Sequence, residues 1–163
     1  MAKSFALQSV QVPRAPEEEF AAFLKRRGKR VTRQRQRIVE QVFSHHDHFD
    51  ADELMEHLQE LIAQRQVSRP TVYRTLAELV EAGLLRKMTL AGRSVYEHEY
   101  GYPQHDHLYC QVCNRLIEFQ SGELERICDA VAKEHRFEIA SHRMFITGKC
   151  AQCRRRKSSA GQA

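Results

Sequence analysis

Cys110 and Cys113 form one Cys-x2-Cys pair, Cys150 and Cys153 form another, and His105-Asp106-His107 stands just ahead of the first. Four thiolates delivered by two short chelating turns match the donor set of tetrahedral zinc. A sphere of four thiolates has no open position, so the ion it holds is structural. The neighbouring imidazoles and carboxylates are harder N and O donors, suited to exchangeable divalent metals. At the other end, Lys25, Arg26, Arg27, Lys29, Arg30, Arg33, Arg35 and Arg37 crowd one stretch with no acid among them. Such a run either solvates a helix face or meets a polyanion. Both kinds of metal site behind a basic N-terminal half imply a metal-responsive nucleic-acid binder.

The chain of 163 residues suffices for one ordinary domain or two small ones, and its formal net charge is +5. Five cysteines could staple a secreted scaffold. Met1–Pro16 lacks the apolar run of a signal peptide, and no stretch approaches a membrane span, so the expected compartment is cytoplasmic and the paired thiols are read as metal ligands. Cys128 lies at helical spacing with Leu124, Ile127 and Val131, which predicts a core thiol inert by burial. A zinc hydrolase is the competing class. It finds no His-Glu-x-x-His, no glycine-rich phosphate loop and no nucleophile–base arrangement, so the chain is not expected to be an enzyme.

The elements that must position these residues follow from periodicity. Residues 1–16 read as a flexible arm. Glu17–Arg27 is helical with Phe20, Phe23 and Leu24 on one face and Gly28 as its stop. Thr32 caps a second helix with i,i+4 apolar pairs Ile38/Val42 and Val39/Phe43, and His45 to His48 make a polar loop. Asp50 and Glu53 open a third helix that turns Leu54, Leu58, Leu61 and Ile62 inward. Ser68-Arg69-Pro70 starts a fourth, buried through Val72, Leu76, Leu79 and Val80 and stopped by Gly83. Leu84–Thr89 and Arg93–His98 form a hairpin around Ala91-Gly92. Helices followed by a two-stranded ribbon is the order of a winged helix-turn-helix. Gly101 and Pro103 mark a linker over 100–103. Beyond it lie strands over His107–Cys110 and Arg115–Phe119, a helix over Gly122–His135 and a longer strand over Arg136–Thr147. The fold class is α+β: a winged helix over 17–99, a small α/β metal-binding dimerisation domain over 104–153, and a disordered basic tail over 154–163.

The motif Ser68-x-x-Thr71-Val72-Tyr73-Arg74-x-Leu76, then Ser94-Val95-Tyr96-Glu97, His105-Asp106-His107-Leu108-x-Cys110-x2-Cys113 and Ile117-Glu118-Phe119 resembles the ferric uptake regulator (Fur) family from about Phe20 to Cys153. The resemblance implies a homodimeric, metal-dependent transcriptional repressor that binds an inverted-repeat DNA operator. It places structural Zn2+ on Cys110, Cys113, Cys150 and Cys153, and a regulatory Fe2+ or Mn2+, for which Zn2+ can substitute, on His48, Glu97, His105, His107 and Glu118. A further family site maps to Asp106, Glu125 and His142, with Gln104 where a histidine is usual; an amide oxygen ligates more weakly than imidazole. Family members that sense manganese, zinc or peroxide are the near alternatives. The peroxide branch tends to carry Asp where Glu97 and Glu118 stand, and zinc sensors often add a thiolate to the regulatory site. His45, His46, His57, His98 and His135 lack such partners in the pattern and are read as surface or structural.

On the recognition helix, Arg74 suits bidentate readout of guanine or a phosphate contact, and Tyr73 a thymine methyl or the backbone. Arg69 and Thr71 share that helix start, and Arg30 precedes the second helix within reach of phosphate or minor groove.

Overall fold

A computed structural model describes residues 10–45 and 47–159, with side chains described through Arg155. The chain divides into two compact units, and the described residues fall into them as Val10–Tyr102 and 103–159.

In the first unit, α1 (Pro16–Arg26) starts on a proline at its first turn and carries Glu17, Glu18 and Glu19 at the positive end of its dipole. Gly28, at φ +66°, ends it. The N–H of Lys29 reaches back to Leu24 O and that of Gly28 to Lys25 O, a reversal that left-handed glycine permits. This tight stop delivers Lys29 and Arg30 directly to the start of α2 (Arg33–Phe43), whose Thr32 cap accepts from Arg35 N–H. Asp50 forms a complete capping box with Glu53 at α3 (Ala51–His57). The expected third helix breaks at Leu58, and α4 (Gln59–Ala63) continues it.

Ser68 stands at the N-cap of α5 (Arg69–Glu81) without a side-chain capping bond. Pro70 lacks the N–H that a cap would engage, and Thr71 N–H is taken by Ser68 O, so the serine hydroxyl meets Thr71 Oγ1 instead. Helix α5 packs on α2, α3 and the strand that follows it.

Strands β2 (Leu85–Leu90) and β3 (Arg93–His98) pair antiparallel around Ala91 and Gly92, both at positive φ as a two-residue hairpin turn requires. The ribbon is three-stranded rather than two-stranded. Strand β1 (Phe49–Asp50) adds to β3 in the order β1-β3-β2, and two residues are too few to show alternation in sequence. Tyr100 to Tyr102, expected as linker, belong to this unit: Tyr100 N–H reaches Leu84 O and its hydroxyl donates to Arg14 O.

Among the described residues the hydrophobic core cluster lies in the first unit, around Leu24, Ile38, Leu58, Leu76, Leu79, Leu84 and Leu85. Helices on a small antiparallel ribbon, with a polar-faced helix ahead of a hairpin wing, make it a winged helix.

The second unit carries a three-stranded sheet with its first strand at the centre. Strand β4 (Asp106–Cys110) pairs antiparallel with β5 (Leu116–Phe119) and parallel with β6 (Phe145–Gly148). Helix α6 (Gly122–Glu134) connects β5 to β6, and α7 (Ala151–Ser159) begins directly after Cys150 and carries Cys153 in its first turn. Here the buried residues are donors rather than hydrocarbon: His105, Asp106, His107, Cys110 and Cys153, with Ala132.

Three expectations change. The strand predicted over Arg136–Thr147 shrinks to β6, because Arg136, at φ +51°, completes the reversal that ends α6. Cys128 is only half-buried, and Ile127 and Val131 on the same face are exposed, so α6 has no core beneath it within one chain. Of the tail predicted over 154–163, residues 154–159 are helical, with Arg154 N–H on Cys150 O and Arg and Lys propagating the turn, and 160–163 lie outside the described residues.

Candidate metal centres and nucleic-acid face

The four-cysteine site is assembled by two turns. Cys110 closes β4, where its N–H takes Arg115 O, Asn114 N–H takes Cys110 O, and Asn114 itself sits at φ +58°. The Gln111 N–H bonds Gly148 O, which brings the end of β6 and Cys150 alongside. The sulfurs of Cys110, Cys113, Cys150 and Cys153 lie within 4.8 Å of one another, with Cys113 Sγ and Cys150 Sγ 3.7 Å apart. Backbone amides favour the thiolate: the N–H groups of Cys150, then Cys113 and Val112, hold Cys110 down to about 6. Cys150 is lowered chiefly by the N–H of Cys153, whereas Cys153 is pushed up to about 12, first by the Cys150 side chain and then by burial. Four close sulfurs sharing protons unequally, one already favouring thiolate at neutral pH, fit Zn2+ and leave no open position for catalysis.

The N/O donors predicted for a regulatory ion fall partly in each unit. In the second, pairing of β4 with β5 sets His107 opposite Glu118. His107 is fully buried and its ring stacks on Phe145 at 4.7 Å, while His105 is anchored by Nδ1 2.9 Å from Pro103 O and shows Nε2 to Glu118 at 3.8 Å. Donor atoms of His105, His107 and Glu118 lie within 4.8 Å of one another. That is a borderline-hard set which suits Fe2+, Mn2+ or Zn2+. In the first unit, β1–β3 pairing brings the loop residue His48 to Glu97, with Nε2 and Oε2 3.3 Å apart. Glu97 is 2% exposed, and its other oxygen lies 3.8 Å from Arg86 Nε; Arg86 in turn forms a two-pronged pair with Glu99.

The third predicted site comes together only in part. Asp106 and His142 approach at 3.6 Å, and Gln104 is hydrogen-bonded to His142. Glu125 is exposed on α6 and joins no metal-capable group among the described residues. Of the histidines read as structural, His98 is buried with Nε2 3.0 Å from Val42 O, and His45 stacks on His57 at 4.9 Å. His46 lies outside the described residues.

On the outer face of α5, Tyr73 is 49% exposed and Arg69 and Arg74 are exposed, with Arg74 Nε donating to Pro70 O. Thr71 Oγ1 is engaged by Ser68, and Arg30 is exposed while its carbonyl accepts from Arg35. Sequence reasoning missed Glu78, a buried carboxylate on α5 whose Oε1 accepts from Lys29 Nζ at 2.8 Å and from Arg35 at 2.9 Å. The signal was available. Glu78 interrupts the inward stripe of Val72, Thr75, Leu76 and Leu79, and a buried acid needs cations, which the run at 25–37 supplies.

A winged helix with an exposed basic recognition face, joined to a unit built around metal donors, defines the class of metal-responsive regulators. The ferric uptake regulator family matches residues 26–147, and the chain belongs to that family. It is 30% identical over 136 residues to the ferric uptake regulation protein of Campylobacter upsaliensis, covering 83% of this chain and 87% of that one. It is 29% identical over 137 residues to the peroxide-responsive repressor PerR of Staphylococcus epidermidis, covering 84% and 89%. The fold is that of the Helicobacter pylori ferric uptake regulator, a protein described with three functional metal binding sites, at a TM-score of 0.77 and 22% identity over 90% of this chain and 97% of that one. Proteins of this family are transcription regulators, not enzymes. Among the described residues no helix is long and apolar enough to cross a membrane.

Proposed function

We propose that the protein is an Fe2+-responsive repressor of iron-uptake genes, acting in the cytoplasm as a homodimer on an inverted-repeat operator. One divalent ion, bound by His48 and Glu97 of the DNA-binding unit and by His105, His107 and Glu118 of the dimerisation unit, acts as corepressor by limiting how the two units move. The observation that carries this reading is the buried donor set of His105 and His107 beside Glu118, with a second buried donor, Glu97, held against His48. Two buried imidazoles and a carboxylate in a unit without a hydrocarbon core gain most from an ion that draws on all of them. Zn2+ on the four cysteines holds the fold of that unit, and the exposed Ile127 and Val131 of α6 supply apolar surface for a second copy. Arg74 and Tyr73 read bases in the major groove, while Arg69, Thr71 and Arg30 fix register on the phosphates. A shift from 1:99 to 99:1 between binding-incompetent and binding-competent states needs a differential affinity of about 5.5 kcal/mol, within the reach of several inner-sphere ligands.

The test is operator binding by the full chain as Fe2+ or Mn2+ is titrated anaerobically. His48→Ala and His107→Ala should keep their zinc and their dimer and lose metal-stimulated binding. Normal metal-stimulated binding by either variant refutes the shared site. Mn2+ is the nearest alternative corepressor, and the order of the two titration midpoints at cellular free-metal levels separates it from Fe2+.

A further inference from the structure

Gln104 occupies the position where the family resemblance calls for a ligating histidine, and its contacts are those of a hydrogen-bond clamp. Its amide nitrogen lies 2.8 Å from the carbonyl oxygen of His142 and 2.6 Å from His142 Nδ1. A backbone carbonyl can only accept, so the group facing it is the NH2 and not the amide oxygen. That same NH2 then meets Nδ1 as a donor, so Nδ1 must present its lone pair and the proton of the neutral ring must sit on Nε2. Nε2 in turn faces Asp106 Oδ2 at 3.6 Å, and the other carboxylate oxygen accepts Met144 N–H at 2.7 Å. Gln104's own carbonyl takes Gln120 Nε2 at 2.7 Å, which fixes the base of the clamp beside the end of β5.

We propose that Gln104 closes the third metal site of this chain: it uses the Nδ1 lone pair of His142 and holds the ring in the tautomer whose Nε2 carries a proton and cannot ligate. Hydrogen bonds thereby do here what an ion would do. They tie the segment His142–Met144 to the start of β4, where His107 N–H completes the join on Met144 O at 3.0 Å. Glu125, the remaining carboxylate of the predicted set, is left in solvent on α6. Each protomer then carries zinc and a single exchangeable ion, so the approach to β6 is held whether or not the exchangeable metal is present. The ion count rests on the regulator reading above; the tautomer does not.

The experiment uses the full-length, zinc-loaded protein. Two-bond 1H–15N correlation on 15N-histidine protein, without exchangeable metal, reports where each ring proton sits. Mn2+ retained after equilibrium dialysis is counted by elemental analysis, with zinc content as the control for folding. His142 should be protonated at Nε2, and the parent should retain at most one Mn2+ per protomer. Gln104→Ala should return His142 to a mixture of tautomers. Gln104→His should retain one Mn2+ more than the parent, and Gln104→His with His142→Ala should lose that extra ion. A proton on His142 Nδ1 in the parent overturns the proposal, as does a second Mn2+ in the parent that His142→Ala removes, or no gain in a zinc-replete Gln104→His. A parent that binds no exchangeable Mn2+ refutes the regulator reading instead, and the tautomer together with the gain in Gln104→His still decides this one.

Discussion

Replacing Glu78 with alanine removes the acceptor that ties α5 to the turn between α1 and α2. The carboxylate side chain is 8% exposed, Arg35 is 18% exposed and Lys29 is 41% exposed. A buried hydrogen bond to a charged group contributes about 1.5–3 kcal/mol, and this applies to Arg35. The Lys29 pair is screened by solvent and adds under about 1 kcal/mol. Glu78→Ala should therefore destabilise the first unit by about 1.5–4 kcal/mol in urea unfolding. A double-mutant cycle with Arg35→Gln should recover a coupling of about 1.5–3 kcal/mol. Operator binding by fluorescence anisotropy gives a second readout with an informative sign. Removing an acid from a DNA-binding domain ordinarily raises affinity for phosphate, because net positive charge increases. Here affinity should fall, since Arg35 also holds Arg30 O and so the basic turn loses its shape. Unchanged stability, or tighter operator binding in Glu78→Ala, would refute the argument that this buried acid organises the basic turn.

Cys110→Ser should abolish stoichiometric zinc by elemental analysis and weaken the dimer in sedimentation; a zinc-free variant that stays dimeric would contradict the structural role. Arg74→Ala should cost about 1–3 kcal/mol on operator and relax base preference, whereas Arg30→Ala should weaken binding to all duplexes and shallow the salt dependence by about one ion. Equal losses on operator and random DNA for Arg74→Ala would make it a phosphate contact. Val131→Glu on the exposed face of α6 should shift the protein toward monomer, and an unchanged dimer would place the interface elsewhere.

What the sequence reveals depends on how local each signal is. Caps and stops are local, so Thr32, Gly28 and the Asp50–Glu53 box locate their helices. Cys-x2-Cys spacing is equally local, and the structure closes all four sulfurs. Strand β1 is too short to leave a pattern, and it matters because its pairing carries His48 to Glu97. The strand expected over Arg136–Thr147 begins later because Phe137 and Ile139 alternate for only three residues, while Arg136 adopts a left-handed helix end that no propensity signals for arginine. Cys128 departs from the core position its spacing predicts because helical periodicity shows which face is apolar and not what covers it. Arg86 lies beyond sequence reach for a different reason, since an ion pair across elements leaves no spacing rule, whereas Glu78 betrays its pairing by interrupting a buried stripe.

The hydrophobic core gathered in the first unit has a calorimetric consequence. Exposure of apolar surface is what raises heat capacity on unfolding, at about 0.45 cal/K/mol per Å². The increment within a single chain must therefore come mainly from the melting of the winged helix, giving that transition a curved stability profile and susceptibility to cold. The second unit, whose interior is sulfur, imidazole and carboxylate, should melt with a small increment and a transition temperature that follows free zinc. In the proposed homodimer the exposed aliphatic side chains of α6 would add to that increment, so the heat capacity of the second transition should grow with protein concentration while that of the first stays fixed.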